Sequence, residues 1–322
     1  MPTALVTGAA GFVGRHFTHA LDEAGYDVTA FDINPRGLPG VRLLDARAFF
    51  SANSEHYDLV VHLAAVVGGR AKIEGEPLSL AVDLEIDASL FQWALRTKPK
   101  RVIYYSSSAA YPVAYQQPHG ADGTLDRPYP LREDDLNLNP YTADHDAFRL
   151  GSQRHVIPDM TYGWAKLTGE MLAQHAEAEG VRVHVFRPFS GYGEDQSSDY
   201  PFPSFADRAR RRDDPFTVWG DGTQVRDWIH ISDVVAATLS AVDHDVPGPA
   251  NLCTGRPTPF NDLAQMFAAA AGYTPELKHI LDAPKGVAYR VGDPTKMLAF
   301  YTPKITLEEG IDRALKAGPW PS

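Results

Sequence analysis

The stretch VTGAAGFVG, residues 6–14, sets Gly8, Gly11 and Gly14 in G-x-x-G-x-x-G spacing between an apolar run and an amphipathic one. Such a turn needs backbone angles that only glycine adopts cheaply, room for a phosphate group to reach the main chain, and a helix packed close on a strand. Amides at the start of the following helix would then face a pyrophosphate. Three spaced glycines alone are weak evidence, so the reading depends on what surrounds them.

Outward from that turn, strand-length apolar runs alternate with amphipathic stretches. ALVTG leads to GRHFTHALDEAGY, then VTAFD, LVVHLAA, a helical LSLAVDLEIDASLFQWALRT, RVIYYSSS, a helical YGWAKLTGEMLAQHAEAEG and VRVHVFRP. Strands alternating with helices, several apolar on both faces, predict right-handed βαβ crossovers and a parallel sheet in an α/β fold. After Arg187 the rhythm loosens into loops rich in Pro, Gly and Asp. ISDVVAATLSAV and ANLCTG read as a helix and strand that return to the first lobe, and ITLEEGIDRALKA reads as a helix of a smaller second lobe. The expected division is 1–188, with about 228–255 returning to it, against 189–227 and 256–322. No internal repeat or low-complexity tract appears.

The second strand ends in Asp32, about 20 residues beyond the glycines, where a carboxylate can accept both hydroxyls of an adenosine ribose. A carboxylate repels a 2′-phosphate, so NAD is favoured over NADP; Arg36 nearby is the opposing feature. Asp45, in RLLDAR, is a second acid placed to face an adenine amine. Tyr162 and Lys166, in TYGWAK, lie four apart and so share one face of a helix. A free tyrosine titrates near pH 10, and making it a base at neutral pH takes about 4 kcal/mol of preferential phenolate stabilisation. A lysine ammonium one turn away, together with a nicotinamide's positive charge, is a source of it. Ser106, Ser107 and Ser108 close another strand and run into Ala109 and Ala110, with no acid, base or thiol among them.

Composition narrows the field. The 322 residues carry a formal charge of −11 and a pI near 5.5, which argues against general nucleic-acid or membrane-surface binding. The basic run RARRR, 208–212, reads as a solvated helix face with Asp213 and Asp214 beside it rather than a phosphate site. The single cysteine, Cys253, cannot form an intrachain disulfide, and no signal-like or membrane-length apolar run is present, so a cytoplasmic protein is expected. The 12 histidines include His16 and His19 but no third ligand at a recognisable spacing, and no metal site is expected.

Taken in order, TGAAGFVG, HLAA (62–65), the serine element, YGWAK, RPFSGYG, WGDGTQVRDWIHISDVV and LEEGI make the whole chain resemble the extended short-chain dehydrogenase/reductases, in their nucleotide-sugar epimerase and dehydratase branch. The resemblance implies a Rossmann-type doubly wound parallel sheet with a smaller, sequence-interleaved C-terminal substrate lobe. It implies cofactor contacts by Phe12, Val13, Ala46, Leu63, Ala64, Ala65 and Pro188 besides the glycines, Asp32, Asp45, Tyr162 and Lys166. It also implies a homodimer built on the helices near 80–97 and 162–179.

Within the family the strand-end element supplies a hydroxyl to the sugar alcohol being oxidised, and Ser107 falls at that place. Sugar-nucleotide 4,6-dehydratases resemble one another in carrying Asp then Glu at the next two positions. Decarboxylases of the branch usually keep the Glu, and GDP-mannose 3,5-epimerases, similar here in LAAVVGG and TVWGDGTQVR, carry a Cys. This chain has Ser108 and Ala109. The pattern fits a 4-epimerase that oxidises C4 and re-reduces it on the opposite face, with Tyr162 as base and acid, Ser107 as relay and Lys166 as electrostatic partner. Alternatives are a 3,5-epimerase-like enzyme, a dehydratase or a 4-keto reductase, with an acid from the insert (Asp144, His145, Asp146 or His155), or a non-catalytic NAD-binding protein.

Ser190 replaces the family's usual Asn in RPFSGYG, so diphosphate binding must lean on other donors. Arg226 is expected on the diphosphate, the other reading being a structural partner of Asp227; Arg290 is a second donor. Val218 and Ser108 complete the expected substrate contacts. Arg70 is placed to pair with an anionic sugar. From Ser107 to Tyr162 is 55 positions, longer than the family's usual connection. The insert, about 113–160, reads either as a lid over the sugar or as an exposed loop.

Overall fold

A parallel sheet is stable only when both faces are covered, and the strands of this chain alternate their side chains between two apolar layers. This computed structural model describes residues 1–66, 68, 70–117, 129–136 and 157–318, of which Arg70 and Leu80 are described in backbone only. The first strands are β1 (Thr3–Thr7), β2 (Asp27–Asp32), β3 (Val41–Leu43), β4 (Leu59–His62), β5 (Arg101–Tyr105) and β6 (Val183–Pro188). With a later strand, β11 (Ala250–Leu252), they form a seven-stranded sheet in the order β3-β2-β1-β4-β5-β6-β11, every pair parallel.

Ala4, Val6, Val61, Ile103 and Tyr105 point into one buried layer, beneath α1 (Phe12–Glu23) and α8 (Ile231–Asp243). Leu5, Val60, Val102 and Tyr104 point into the other, beneath α2 (Ala46–Ala52), α5 (Val82–Thr97) and α6 (Met160–Ala178). Two short helices, α3 (Arg70–Gly75) and α4 (Pro77–Leu80), precede α5. The single helix expected over LSLAVDLEIDASLFQWALRT is thus interrupted at Ala81, although Ala81 keeps helical backbone angles.

The chain order reverses between β1 and β4, so the crevice at their carboxyl ends is where an open α/β sheet takes ligands. The glycine turn follows β1 at that crevice.

Past β6, the chain builds a second cluster around Phe202, Phe205, Phe216, Phe260 and Phe267. Its helices are α7 (Pro201–Arg211), α9 (Phe260–Ala270) and α11 (Leu307–Ala317); α10 (Thr295–Leu298), before the last, instead buries Met297 in the layer under α1 and α8. Its strands pair in small sheets: β7 (Ser190–Tyr192) with β10 (Trp228–His230), and β8 (Phe216–Trp219) with β13 (Leu277–Ile280). The third small sheet joins β9 (Val225–Arg226), β12 (Thr258–Pro259) and β14 (Tyr289–Arg290). The arginines of RARRR knit this region together. Arg208 donates to Thr217 and Ser204, Arg210 pairs with Asp207 and reaches the Ala314 carbonyl, and Arg212 donates to the carbonyls of Ala271 and Gly272. They serve helix ends and ion pairs, where positive charge suits the C-terminus of α7.

Candidate active site

At the glycine turn the backbone comes too close for side chains. Gly8 has φ +66°, and a Cβ there would lie 2.7 Å from the Leu63 main chain. A Cβ on Gly14 would lie 2.1 Å from the Gly8 carbonyl oxygen. The Gly11 amide closes the turn on that same carbonyl at 3.0 Å. Gly11 also caps α1 without a side chain, so Phe12, Val13 and Gly14 open the helix with no side-chain acceptor over their amides.

Asp32 ends β2 beside this turn, accepting the Ala10 amide at 3.1 Å and the Asn34 amide at 2.9 Å. A carboxylate has about four acceptor positions, which leaves capacity for ribose hydroxyls. A glycine cradle with uncapped amides and an acid at the next strand end fits a dinucleotide. Leu63 and Ala64, with Ala65 following β4, are held by Thr7, whose Oγ1 accepts both of their amides at 3.1 Å. Pro188 ends β6 opposite Leu252.

Asp45 is a helix cap: it accepts from the Arg47 amide at 2.8 Å and from the Arg47 guanidinium at 2.7 Å, at the N-terminus of α2 where Ala46 is buried. The Arg47 hydrogen bond, opposed by partial burial, lowers its pKa. An adenine amine would have to share that carboxylate.

At the end of β5 the three serines part company. Ser106 is buried and donates to Glu170 Oε1. Ser107 caps a short 3-10 turn, Ser108–Ala110, and its Oγ accepts the Ala109 amide at 3.1 Å, a bond that does not use its own proton. Ser108 is buried within the turn.

Helix α6 passes close to this element, with Tyr162, Lys166 and Glu170 in successive turns of one face. Lys166 is only 5% exposed, its Nζ 5.9 Å from the Tyr162 ring centre and 5.8 Å from that of Tyr104. Burial pulls its pKa down, but the charges of Asp87, Tyr162 and Asp83 outweigh that and leave it raised. The lysine therefore stays an ammonium. The helix lies close because of Gly169: a Cβ there would collide with the Tyr104 hydroxyl.

On the substrate side, the expected residues are engaged within the fold. Val218 is fully buried among the second-cluster aromatics, so its side chain lines no substrate surface. Arg226 does not pair with Asp227. Its guanidinium donates to the carbonyls of Val225 and Val287 at 2.8 and 2.9 Å and sits 5.7 Å from the Phe260 ring, where it braces the 285–287 loop. Asp227 instead accepts from the Thr254 hydroxyl and the amides of Thr254, Gly255 and Gly292.

Arg290, opposite Arg226 in the β9–β14 ladder, forms an ion pair with Asp159 at 2.8 Å and donates to Gln116, tying the second lobe to the start of α6. Ser190 gives its amide to the Asp227 carbonyl at 2.9 Å. Arg70 opens α3, and its side chain lies outside the described residues. Most of the insert, with Asp144, His145, Asp146 and His155, also lies outside them. One of its described parts, 129–136, is bound to the body: Leu131 exchanges backbone bonds with Val291 and Asp293, and Glu133 accepts the Asn251 amide at 2.8 Å. Among the described residues no group of three or more His, Cys, Asp or Glu side chains is placed to hold a metal.

The sequence reading missed the buried acids. Asp83 and Asp87 on α5, and Glu170 on α6 with Arg187 on β6, are all nearly inaccessible. The signal was present in charged residues set inside otherwise apolar elements (VDLEIDASLF and VHVFRP).

Comparison with known proteins identifies the fold and its cofactor chemistry. The family model for the NAD dependent epimerase/dehydratase family matches residues 4–148 and 140–253. The chain belongs to that family. NAD is therefore its cofactor, and the chemistry of the family, nucleotide-sugar epimerisation, dehydration, decarboxylation or reduction, is its general class. It is 27% identical to the UDP-N-acetyl-alpha-D-glucosaminuronate decarboxylase of Bacillus cytotoxicus, over 97% of this chain and 96% of that one. It is 25% identical to a putative UDP-glucose 4-epimerase of Methanocaldococcus jannaschii, over 97% and 96%. The structure of Thermotoga maritima UDP-glucose 4-epimerase with UDP-glucose superposes with a TM-score of 0.75, at 25% identity and 98% coverage of both chains. Family members of different activity thus match at similar identity. Among the described residues, no helix is long and apolar enough to cross a membrane.

Proposed function

We propose that this family member is an NAD-dependent nucleotide-sugar 4-epimerase, acting on a sugar carried by a nucleoside diphosphate. The observation that carries this reading lies just beyond Ser107 in the chain. Ser108 and Ala109, buried at 5% and 2%, stand beside the relay hydroxyl where breaking a C–O, C–C or carbon-acid bond would need a stronger group. No thiol can replace them, because the chain's single cysteine, Cys253, is fully buried and burial pushes its pKa well above the ordinary value. Asp159, at the start of α6, is committed to Arg290.

The residues then divide the work. Ser107 holds the sugar 4-hydroxyl and relays its proton to Tyr162, whose phenolate, the form that accepts the proton, is stabilised by the Lys166 ammonium. NAD supplies the acceptor, and later the donor, of the hydride at C4. After the 4-keto sugar has turned over in the pocket, Tyr162 returns the proton to the C4 oxygen and the opposite configuration results. The glycine turn and Asp32 hold the cofactor between β1 and β4, and the lobe of residues 189–227 and 256–322 covers the sugar nucleotide.

The cytoplasmic enzyme is a homodimer in this reading. Leu84 on α5 and Trp164 and Met171 on α6 are large apolar side chains left 39%, 48% and 43% exposed on the helices that would pair.

The test is incubation with UDP-, GDP- and dTDP-sugars in deuterated water, followed by NMR. Inversion at C4 with no solvent deuterium in the sugar is expected. Deuterium at C3 or C5, or loss of water or carbon dioxide, would overturn the assignment.

A further inference from the structure

Helix α5 carries Asp83 and Asp87 one turn apart in its packing with α6, and both carboxylates are buried, at 0% and 1% exposure. Asp87 accepts from the Tyr104 hydroxyl at 2.6 Å and lies 3.3 Å from His62 Nε2. The protonation of that histidine is set by Thr7. Thr7 Oγ1 already accepts two amides, so its one proton goes to His62 Nδ1 at 3.0 Å. His62 is then neutral and donates to Asp87 from Nε2. Asp87 receives only neutral donors from that side.

Asp83 Oδ1 accepts the Val66 amide at 2.6 Å, which ties it to the loop following β4. Among the described residues its Oδ2 is buried without a hydrogen-bond partner. The groups around this pair are Tyr162, Lys166 and Glu170 from α6, Tyr104 from β5, His62 from β4 and, at longer range, Lys72 from α3. Glu170 is neutralised by Arg187 at 2.7 Å, so it adds no net charge.

Two carboxylates against the Lys166 ammonium leave one negative charge in excess, in an interior where unmatched charge is costly. On the function proposed above, a nicotinamide ring lies beside Tyr162, and that ring is positive only when oxidised. We propose that Asp83 and Asp87 are positioning residues: they form an acidic seat that holds the Lys166 ammonium and makes the site prefer oxidised over reduced cofactor. Burial, chiefly, with the Asp87 charge, pushes the Asp83 pKa up to about 6 against the pull of Lys166 and the Val66 amide.

The experiment measures the ratio of NADH to NAD dissociation constants, by NADH fluorescence titration and NAD competition, for the wild-type chain and for Asp83→Asn. Asparagine keeps an acceptor for the Val66 amide and removes only the charge. The preference for NAD is expected to fall about tenfold in Asp83→Asn, the size of one charge acting across several ångströms of protein. A purely structural Asp83 would leave the ratio at its wild-type value, and that result would overturn the proposal. Asp83→Asn failing to fold would shift the decision to wild type titrated from pH 5 to 7.5. There the preference for NAD should rise as Asp83 ionises, and a flat ratio would refute the seat. If the wild-type chain binds neither form, the function proposed above falls as well, whereas an unchanged ratio in a binding-competent variant removes the seat alone.

Discussion

One turn of helix α6 separates two buried clusters of charge that are built on opposite rules. Around Glu170, each charge is answered. Arg187 grips both of its oxygens at 2.9 and 2.7 Å, and Ser106 donates to one of them. Arg187 also donates to the Tyr111 hydroxyl, which passes a 2.7 Å bond to Asn251, and to the Glu133 carbonyl. Around Lys166 the charges do not close: two acids act on one ammonium, and one acid oxygen has no partner among the described residues. The first cluster joins β5, β6, β11 and the base of the insert, which is the work of architecture. The second holds charge in reserve beside the residues expected to react. Balanced burial makes a joint, and unbalanced burial makes a site.

The largest test of this contrast is chemical. Tyr162→Phe should lower turnover by about 10²- to 10⁴-fold while leaving the thermal unfolding midpoint unchanged, since its hydroxyl belongs to the reactive cluster. Steady-state kinetics and a melting curve together would show whether that separation holds. Arg187→Met should do the reverse on the balanced side. It strands the Glu170 carboxylate and should cost about 3–5 kcal/mol in denaturant unfolding, whereas the double change Arg187→Met with Glu170→Leu should recover most of the loss.

Asp83→Asn makes a subtler distinction, because an unbalanced acid should cost stability. The folded pKa of about 6 lies above the ordinary 3.8, so the native state binds the extra proton between those values. Stability therefore falls as pH rises from about 4 to 6, and the penalty stands in full above that range. Removing the charge should stabilise the protein by up to about 3 kcal/mol at pH 8 and by little at pH 4. Urea unfolding at both pH values would measure this, and equal effects at the two would contradict it.

The smallest effects should come from neighbouring serines. Ser106→Ala should cost about 2 kcal/mol of stability, through the lost bond to a buried carboxylate, with turnover near wild type. Ser107→Ala should lower turnover by about a hundredfold and cost only the weak cap on the 3-10 turn.

Those serines also show where sequence reading stops. VTGAAGFVG and the strand-end Asp32 are legible because glycine spacing and a strand terminus are local; their geometry is set by the few residues they contain. The Tyr162–Lys166 pair is legible for the same reason, since four residues on a helix define a face. Arg226 and Arg290 are different. A guanidinium suits a diphosphate, a carbonyl or a carboxylate equally well, and only the approach of the 285–287 loop and of Asp159 decided which each one met. Val218 was placed near substrate by its neighbours in sequence and sits in the aromatic core because β8 pairs with β13.

By itself, the sequence determined the alternating α/β pattern, the glycine turn after the first strand, the tyrosine and lysine on one helix face, and the run of Ser and Ala after Ser107, because each is written in contiguous residues under one local periodicity. Which carboxylates stay charged in the interior was settled only in three dimensions. Asp83, Asp87 and Glu170 meet their partners across helix and strand contacts, and the cost of a buried charge depends on what the folded chain brings within a few ångströms of it.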